Sequence, residues 1–160
     1  MKNTSFDPID EFQITRRRLP HWQSPGSVYF VTTRSENRIF TERERTTILD
    51  AVTFLARKKY NLFAAVIMPD HMHLLFQPIS KSIEGSIVNY YSLSEIMHSI
   101  KSYTAQQIGG MVWQHESYDH LIRNDQDFLE TMNYIVKNPV KAGLVEHHSN
   151  YSWLYYSLET

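Results

Sequence analysis

Apolar and polar positions along the chain change their period several times, and the changes mark its elements. Val28-Tyr29-Phe30-Val31-Thr32-Thr33 follows Pro25-Gly26 and is rich in β-branched and aromatic residues, which predicts a first strand. Thr41 and Glu44 have capping-box spacing, and Ile48, Ala51, Val52 and Leu55 then recur at helical intervals, predicting a helix over 42–58. Asn61 to Met68 and His71 to Gln77 are apolar segments on either side of Pro69-Asp70, so they read as adjacent strands joined by a tight turn. Residues 78–91, with Gly85 and several serines, read as a loop.

Ser92 and Glu95 form a second capping box. Leu93, Ile96, Met97, Ile100 and Ile108 then share one helical face up to Gly109-Gly110, which leaves His98, Lys101 and Gln106 outward. Tyr118 to Ile122 reads as a short strand. Asn124 and Asp125 can cap a third helix, which should end near Asn138 because Pro139 disfavours helical backbone in the residue before it. The order strand, helix, strand, strand, helix, strand, helix implies an α+β sandwich on one antiparallel sheet. It reads as a single domain over 1–160, with 1–20 an irregular N-terminal arm and 148–160 a C-terminal tail. His147-His148 stand in the polar stretch leading into that tail and read as solvated.

Composition narrows the chemistry. At 160 residues and 42% hydrophobic content, the chain can bury a core without staples, and the absence of cysteine excludes disulfides, thiolate nucleophiles and zinc-thiolate sites. The first residues lack a signal-peptide core and no apolar run is long enough to span a bilayer, so the expectation is a soluble cytoplasmic protein with no membrane partner. A net charge of −1 argues neither for nor against a nucleic-acid partner, since the sum can hide a basic patch. Arg16-Arg17-Arg18, Arg57-Lys58-Lys59, Lys101 and Arg123 are the basic candidates, and each alone reads equally well as a solvated end or loop.

Two positions carry chemistry beyond composition. His71 and His73 lie two residues apart on an apolar strand, so both point to one face while Met72, Leu74 and Phe76 take the other. Buried neutral imidazoles need partners, and a divalent cation would satisfy both. In the third helix, Phe128, Leu129, Met132, Ile135 and Val136 fall on one arc, whereas Tyr134 lies on the far flank, with Asn138 one turn further along it. Two imidazoles and a carboxamide oxygen suit a divalent ion that keeps open positions, and a phenol beside such an ion can attack phosphorus.

His71-Met72-His73 resembles the His-hydrophobic-His motif of HUH endonucleases, and Tyr134 with Asn138 resembles the nucleophile helix of their single-tyrosine transposases. More narrowly, the chain resembles the REP-associated tyrosine transposases. Leu19-Pro20-His21-Trp22 with Gly26 and Tyr29-Phe30-Val31-Thr32 resembles the opening of that family, and Ile67 to Leu75 its metal strand. Ile100 to Thr104, Trp113-Gln114, Tyr118-Asp119-His120 and Ile122-Arg123 resemble its middle, and Tyr134 to Leu144 its end. Asp70 stands where asparagine is more usual, and Gln114 to Ser117 match loosely.

The resemblance implies a ferredoxin-like sheet and cleavage of single-stranded, hairpin-forming DNA. Carried over by position, His71, His73 and Asn138 would hold Mg²⁺ or Mn²⁺, and Tyr134 would attack the scissile phosphate to leave a 5′-phosphotyrosine and a free 3′-OH. DNA contacts are expected from Arg16, Arg17, Lys101, Trp113 and Arg123, and a homodimer is one assembly open to the chain. The alternative is a transposase descendant that binds single strands or hairpins without cutting them, with Trp113, Trp153, Tyr155 and Tyr156 stacking on bases. A third reading, a hydrolase that activates water, needs a carboxylate beside the ion, and Asp70 is the adjacent candidate.

Overall fold

A computed structural model of the chain describes Ile14 and residues 26–158. In chain order the elements are β1 (Tyr29–Arg34), α1 (Glu42–Leu55), β2 (Tyr60–Ile67), β3 (His71–Pro78), β4 (Ser80–Glu84), β5 (Ile87–Tyr90), α2 (Leu93–Ile108), β6 (Tyr118–Leu121), α3 (Asp125–Lys141) and β7 (Leu154–Tyr156). Both sequence-predicted capping boxes form: Thr41 and Glu44 reciprocate at the start of α1, Ser92 and Glu95 at the start of α2. Each satisfies backbone N–H groups that the first turn of a helix otherwise leaves open.

Five strands make one antiparallel sheet in the order β6-β1-β3-β2-β7. Without the outer β7, the order β6-β1-β3-β2 with α1 and α2 as the crossovers is the ferredoxin-like arrangement expected from the sequence. The sheet is buried on both faces. On one, Ile48 and Val52 of α1 and Ile96 and Ile100 of α2 pack against Val31, Ile67, Met72, Leu74 and Phe76. On the other, Phe128, Met132 and Ile135 of α3 pack against Ala64, Val66 and Leu75. Strands covered on both faces explain why β2 and β3 read as continuous apolar runs rather than alternating ones. Among the described residues no helix is long and apolar enough to cross a membrane.

Four expectations are corrected. Helix α1 stops at Leu55 rather than 58, because Arg57 takes a left-handed conformation (φ 68°) and donates its N–H to the Tyr60 carbonyl at 2.7 Å, turning the chain into β2. Residues 78–91 are not a loop: β4 and β5 pair as a hairpin about Gly85, whose φ of 62° suits a residue without a Cβ. Helix α3 runs through Pro139 to Lys141, with the Ala142 N–H still reaching the Asn138 carbonyl at 3.0 Å. A proline so near the end removes one backbone bond but does not stop the last turn. The expected tail returns to the sheet, where β7 pairs with β2, Tyr151 is buried and its hydroxyl donates to the Ile67 carbonyl at 2.6 Å. The aromatics proposed there as a stacking surface, Trp153, Tyr155 and Tyr156, are partly buried against the two cores. His148 leans on the Tyr156 ring with centroids 5.9 Å apart, while His147 is exposed.

Candidate active site

Strand β3 is central, flanked by β1 and β2, so its side chains on the α3 face start out enclosed. His71 opens the strand and is partly exposed; His73, two residues deeper, is only 5% exposed. Their rings share the α3 face, with centroids 4.8 Å apart and edge to face. The apolar arc of α3 is drawn into the core beneath, which carries its polar flank to the edge of the same face. Tyr134 stands there at 43% exposure, its ring 5.3 Å from that of His73. Phe30, from the neighbouring strand, completes an aromatic wall: its ring stacks on His73 at 5.4 Å and meets Tyr134 edge-on at 6.0 Å. Asn138 is partly buried one turn beyond Tyr134 on α3.

Each imidazole is held by its Nδ1. His71 Nδ1 lies 2.6 Å from Asp70 Oδ1, an acceptor that requires the ring to donate there. Thr32 stands directly across from His73 on β1, and its hydroxyl is 2.7 Å from His73 Nδ1. What remains at His73 is Nε2, buried and without a hydrogen-bond partner among the described residues. An orphaned buried ring nitrogen is costly in a finished core, so it points to a ligand. Burial, aided by the nearby charges of His71 and Arg34, lowers the His73 pKa from 6.5 to about 3. The ring is therefore neutral near pH 7, the form in which imidazole ligates metal.

These donors fit a divalent cation. Asp70 behind His71 matches the carboxylate–histidine pairing that fixes tautomer and ring orientation at metal centres. It is thereby engaged as an orienting group, which weighs against the reading in which it serves as a base for water. Among the described residues no third histidine or carboxylate joins the pair to make a cluster. A carboxamide and water would have to complete the shell.

The residues expected to touch DNA divide. Trp113 is 7% exposed, donates its indole N–H to Thr104 at 2.8 Å and packs on Phe40 at 5.1 Å, which makes it a core residue with no open face for a base. The Lys101 ammonium donates to the carbonyls of Gln114 and His115 at 3.1 and 3.0 Å, and its burial lowers its pKa, so it ties down a loop. Arg123 is exposed just before α3, its backbone N–H held by Asp127 at 3.0 Å. Arg16 and Arg17 lie outside the described residues. Sequence reasoning missed Thr32, Phe30 and Arg34, which reach the site only through the register of β1 on β3. Alternation along β1 would have put the three on one face, but not on this one.

Residues 28–138 match the family described as IS200-like transposases, and the chain belongs to that family. The matched stretch runs from the entry to β1 as far as Asn138, so it contains both histidines and Tyr134. Within the family, the chain is similar to REP-associated tyrosine transposases. It is 32% identical over 95 residues to a protein of Haemophilus influenzae described as a candidate member, across 54% of this chain and 53% of that protein. It is 26% identical over 130 residues to the REP-associated tyrosine transposase of Escherichia coli, across 79% of this chain and 74% of that one. The match thus spans about half the length of the first relative and three quarters of the second. A solved REP-associated tyrosine transposase bound to a REP hairpin superposes with a TM-score of 0.65 at 25% identity, covering 81% of this chain and 76% of the other.

Proposed function

We propose that this chain is a metal-dependent single-stranded DNA endonuclease and transposase that cleaves and rejoins hairpin-associated DNA through a 5′-phosphotyrosine intermediate. The observation that carries the reading is the Tyr134 ring 5.3 Å from a histidine whose Nε2 is buried and unpartnered. The relative whose solved structure is bound to a REP hairpin supports hairpin DNA as the substrate class.

His71, His73 and Asn138 would hold Mg²⁺ or Mn²⁺. Bound there, the ion would supply charge stabilisation for the non-bridging oxygens of the scissile phosphate. The phenol of Tyr134 forms the new bond to phosphorus as the bond to the 3′-oxygen breaks. The phenol proton is released, and the departing 3′-oxygen takes one up. One phosphodiester replaces another, so the tyrosyl phosphate can pass its strand to a different 3′-OH without a nucleotide cofactor. Phe30 and His73 form the walls that limit where the phenol can swing. The side-by-side placement of the tyrosine and the histidine pair within one chain supports a site built from that chain's own residues.

The test is covalent trapping. Labelled hairpin DNA incubated with the protein and Mn²⁺ should yield an adduct on a denaturing gel, absent from Tyr134→Phe. Hairpin binding with no adduct under any divalent ion would leave the non-cleaving binder standing instead.

A further inference from the structure

Two polar clamps grip α3, the helix that carries Tyr134. The first is at its start, where His120 of β6 faces the carboxylate of Asp127 with Nε2 at 3.0 and 2.9 Å from the two oxygens. A carboxylate only accepts, so the ring donates here. The same carboxylate also takes the backbone N–H of Arg123 at 3.0 Å. The second clamp is in the middle of the helix: Asn133 accepts the Ile14 backbone N–H on Oδ1 at 2.8 Å and donates from Nδ2 to the Ile14 carbonyl at 3.3 Å, across 119 positions of sequence. Ile14 is itself 1% exposed, sunk into the core that Phe128, Met132 and Ile135 share.

The clamps lie on opposite flanks of the helix. With a step of about 100° per residue from Phe128, the buried residues Met132, Ile135 and Val136 span roughly 340° to roughly 80°, Asp127 falls at about 260°, Tyr134 at about 240° and Asn133 at about 140°. Asp127 is thus on the flank of Tyr134, two turns earlier, and Asn133 is on the other. Hydrophobic burial is non-directional whereas hydrogen bonds have a required direction, so the apolar arc sets how deep α3 sits and the clamps set how it is rolled. With side chains reaching about 5–6 Å from a helix axis, a roll of about 20° carries a side-chain tip about 2 Å.

The first clamp also shares its footing with the site. His120 stands directly across from Phe30 of β1, the residue whose ring stacks on His73 at 5.4 Å and meets Tyr134 edge-on at 6.0 Å. One position of β1 therefore ties the start of α3 to the wall of the site. We propose that His120 and Asn133 are positioning residues for strand cleavage, which together fix the roll of α3 and so hold the Tyr134 phenol beside His73. The inference rests on the reading of the chain as a tyrosine nuclease. It makes Ile14, ahead of the stretch matched to the family, part of the support of the nucleophile.

Two readouts on folded protein, well below its melting temperature, test the clamps. One is the single-turnover rate of adduct formation at saturating hairpin DNA with Mn²⁺, set beside the hairpin Kd. The other needs no cleavage: the fluorine resonance of 3-fluorotyrosine placed at position 134 alone, in the DNA-free protein. His120→Leu and Asn133→Ala should each slow the adduct about ten- to a hundredfold, the scale of a misplacement near 1 Å, with Kd changed less than about twofold, and each should shift or split the resonance. His120→Gln, whose amide can donate from nearly the same place, should recover the rate to within about threefold and restore the resonance. Asn133→Ala carries the same test should His120→Leu not fold. A wild-type rate in these variants, or a slower rate with the resonance unmoved, would overturn the clamps while leaving the nuclease. No adduct from the wild type, with the resonance still moved by the variants, would sink the nuclease and keep the clamps.

Discussion

Thr32 and His73 lie directly opposite each other on β1 and β3, and the threonine hydroxyl is 2.7 Å from His73 Nδ1. When Nδ1–H is donated to Thr32, the lone pair of the ring stands at Nε2, the buried nitrogen without a hydrogen-bond partner among the described residues. A residue that touches no substrate thereby sets the tautomer of one that is proposed to hold the ion.

Thr32→Val keeps the strand-favouring shape and removes the acceptor. Mn²⁺ affinity of the DNA-free protein should fall by about tenfold or more, as for other losses behind a ligating histidine. Thr32→Ser should restore it. Titration followed by electron paramagnetic resonance reads both, and equal affinities for Val and Ser would remove Thr32 from this role.

Tyr134 is 43% exposed and meets the protein mainly at the rims of Phe30 and His73. Tyr134→Phe keeps the ring and should change stability by less than about 0.5 kcal/mol, while the covalent adduct disappears and hairpin affinity persists. An adduct that survives, or that maps to Tyr118, would show a different nucleophile.

His73 gives the metal-free protein a pH dependence of known sign. Its folded pKa is lowered from 6.5 to about 3, chiefly by burial, so between those values the unfolded chain binds the proton and the folded one does not. Stability contributed by the neutral ring is complete above about pH 6.5 and is lost as pH falls towards about 3. The slope is at most about 1.4 kcal/mol per pH unit. Urea denaturation at several pH values should show that slope in the wild type and a flatter one in His73→Asn.

Lys101 and Arg123 should separate. Lys101→Met should destabilise the fold by about 1–3 kcal/mol, since the Gln114 and His115 carbonyls lose a charged donor, with little change in the salt slope of hairpin binding. Arg123→Ala should do the opposite, lowering the salt slope by about one at unchanged stability. Denaturation and salt-titrated binding on the same two variants check the pair.

Much of this protein is decided within short stretches of chain. Capping boxes at Thr41 and Ser92 start two helices wherever the rest goes, because their bonds close within one turn. The spacing of His71 from His73, and of Tyr134 from Asn138, assigns each pair to one face, since strand and helix periods are properties of the backbone. Motif order along the chain was enough to suggest the family.

Which faces meet is a matter of the tertiary structure. Thr32 is 41 residues from His73, and their contact exists only because β1 pairs with β3 in one register; a shift of one residue would turn Thr32 and Arg34 to the other face. Trp113 resembles a family position that predicts a DNA contact, yet it is consumed by the core through Thr104 and Phe40, a choice between surface and interior that a lone aromatic does not encode. The hairpin at 78–91 and the return of residues 154–156 to the sheet edge depend likewise on finding a partner strand, which local composition cannot name. Periodicity tells a side chain which way to point; only packing supplies what it points at.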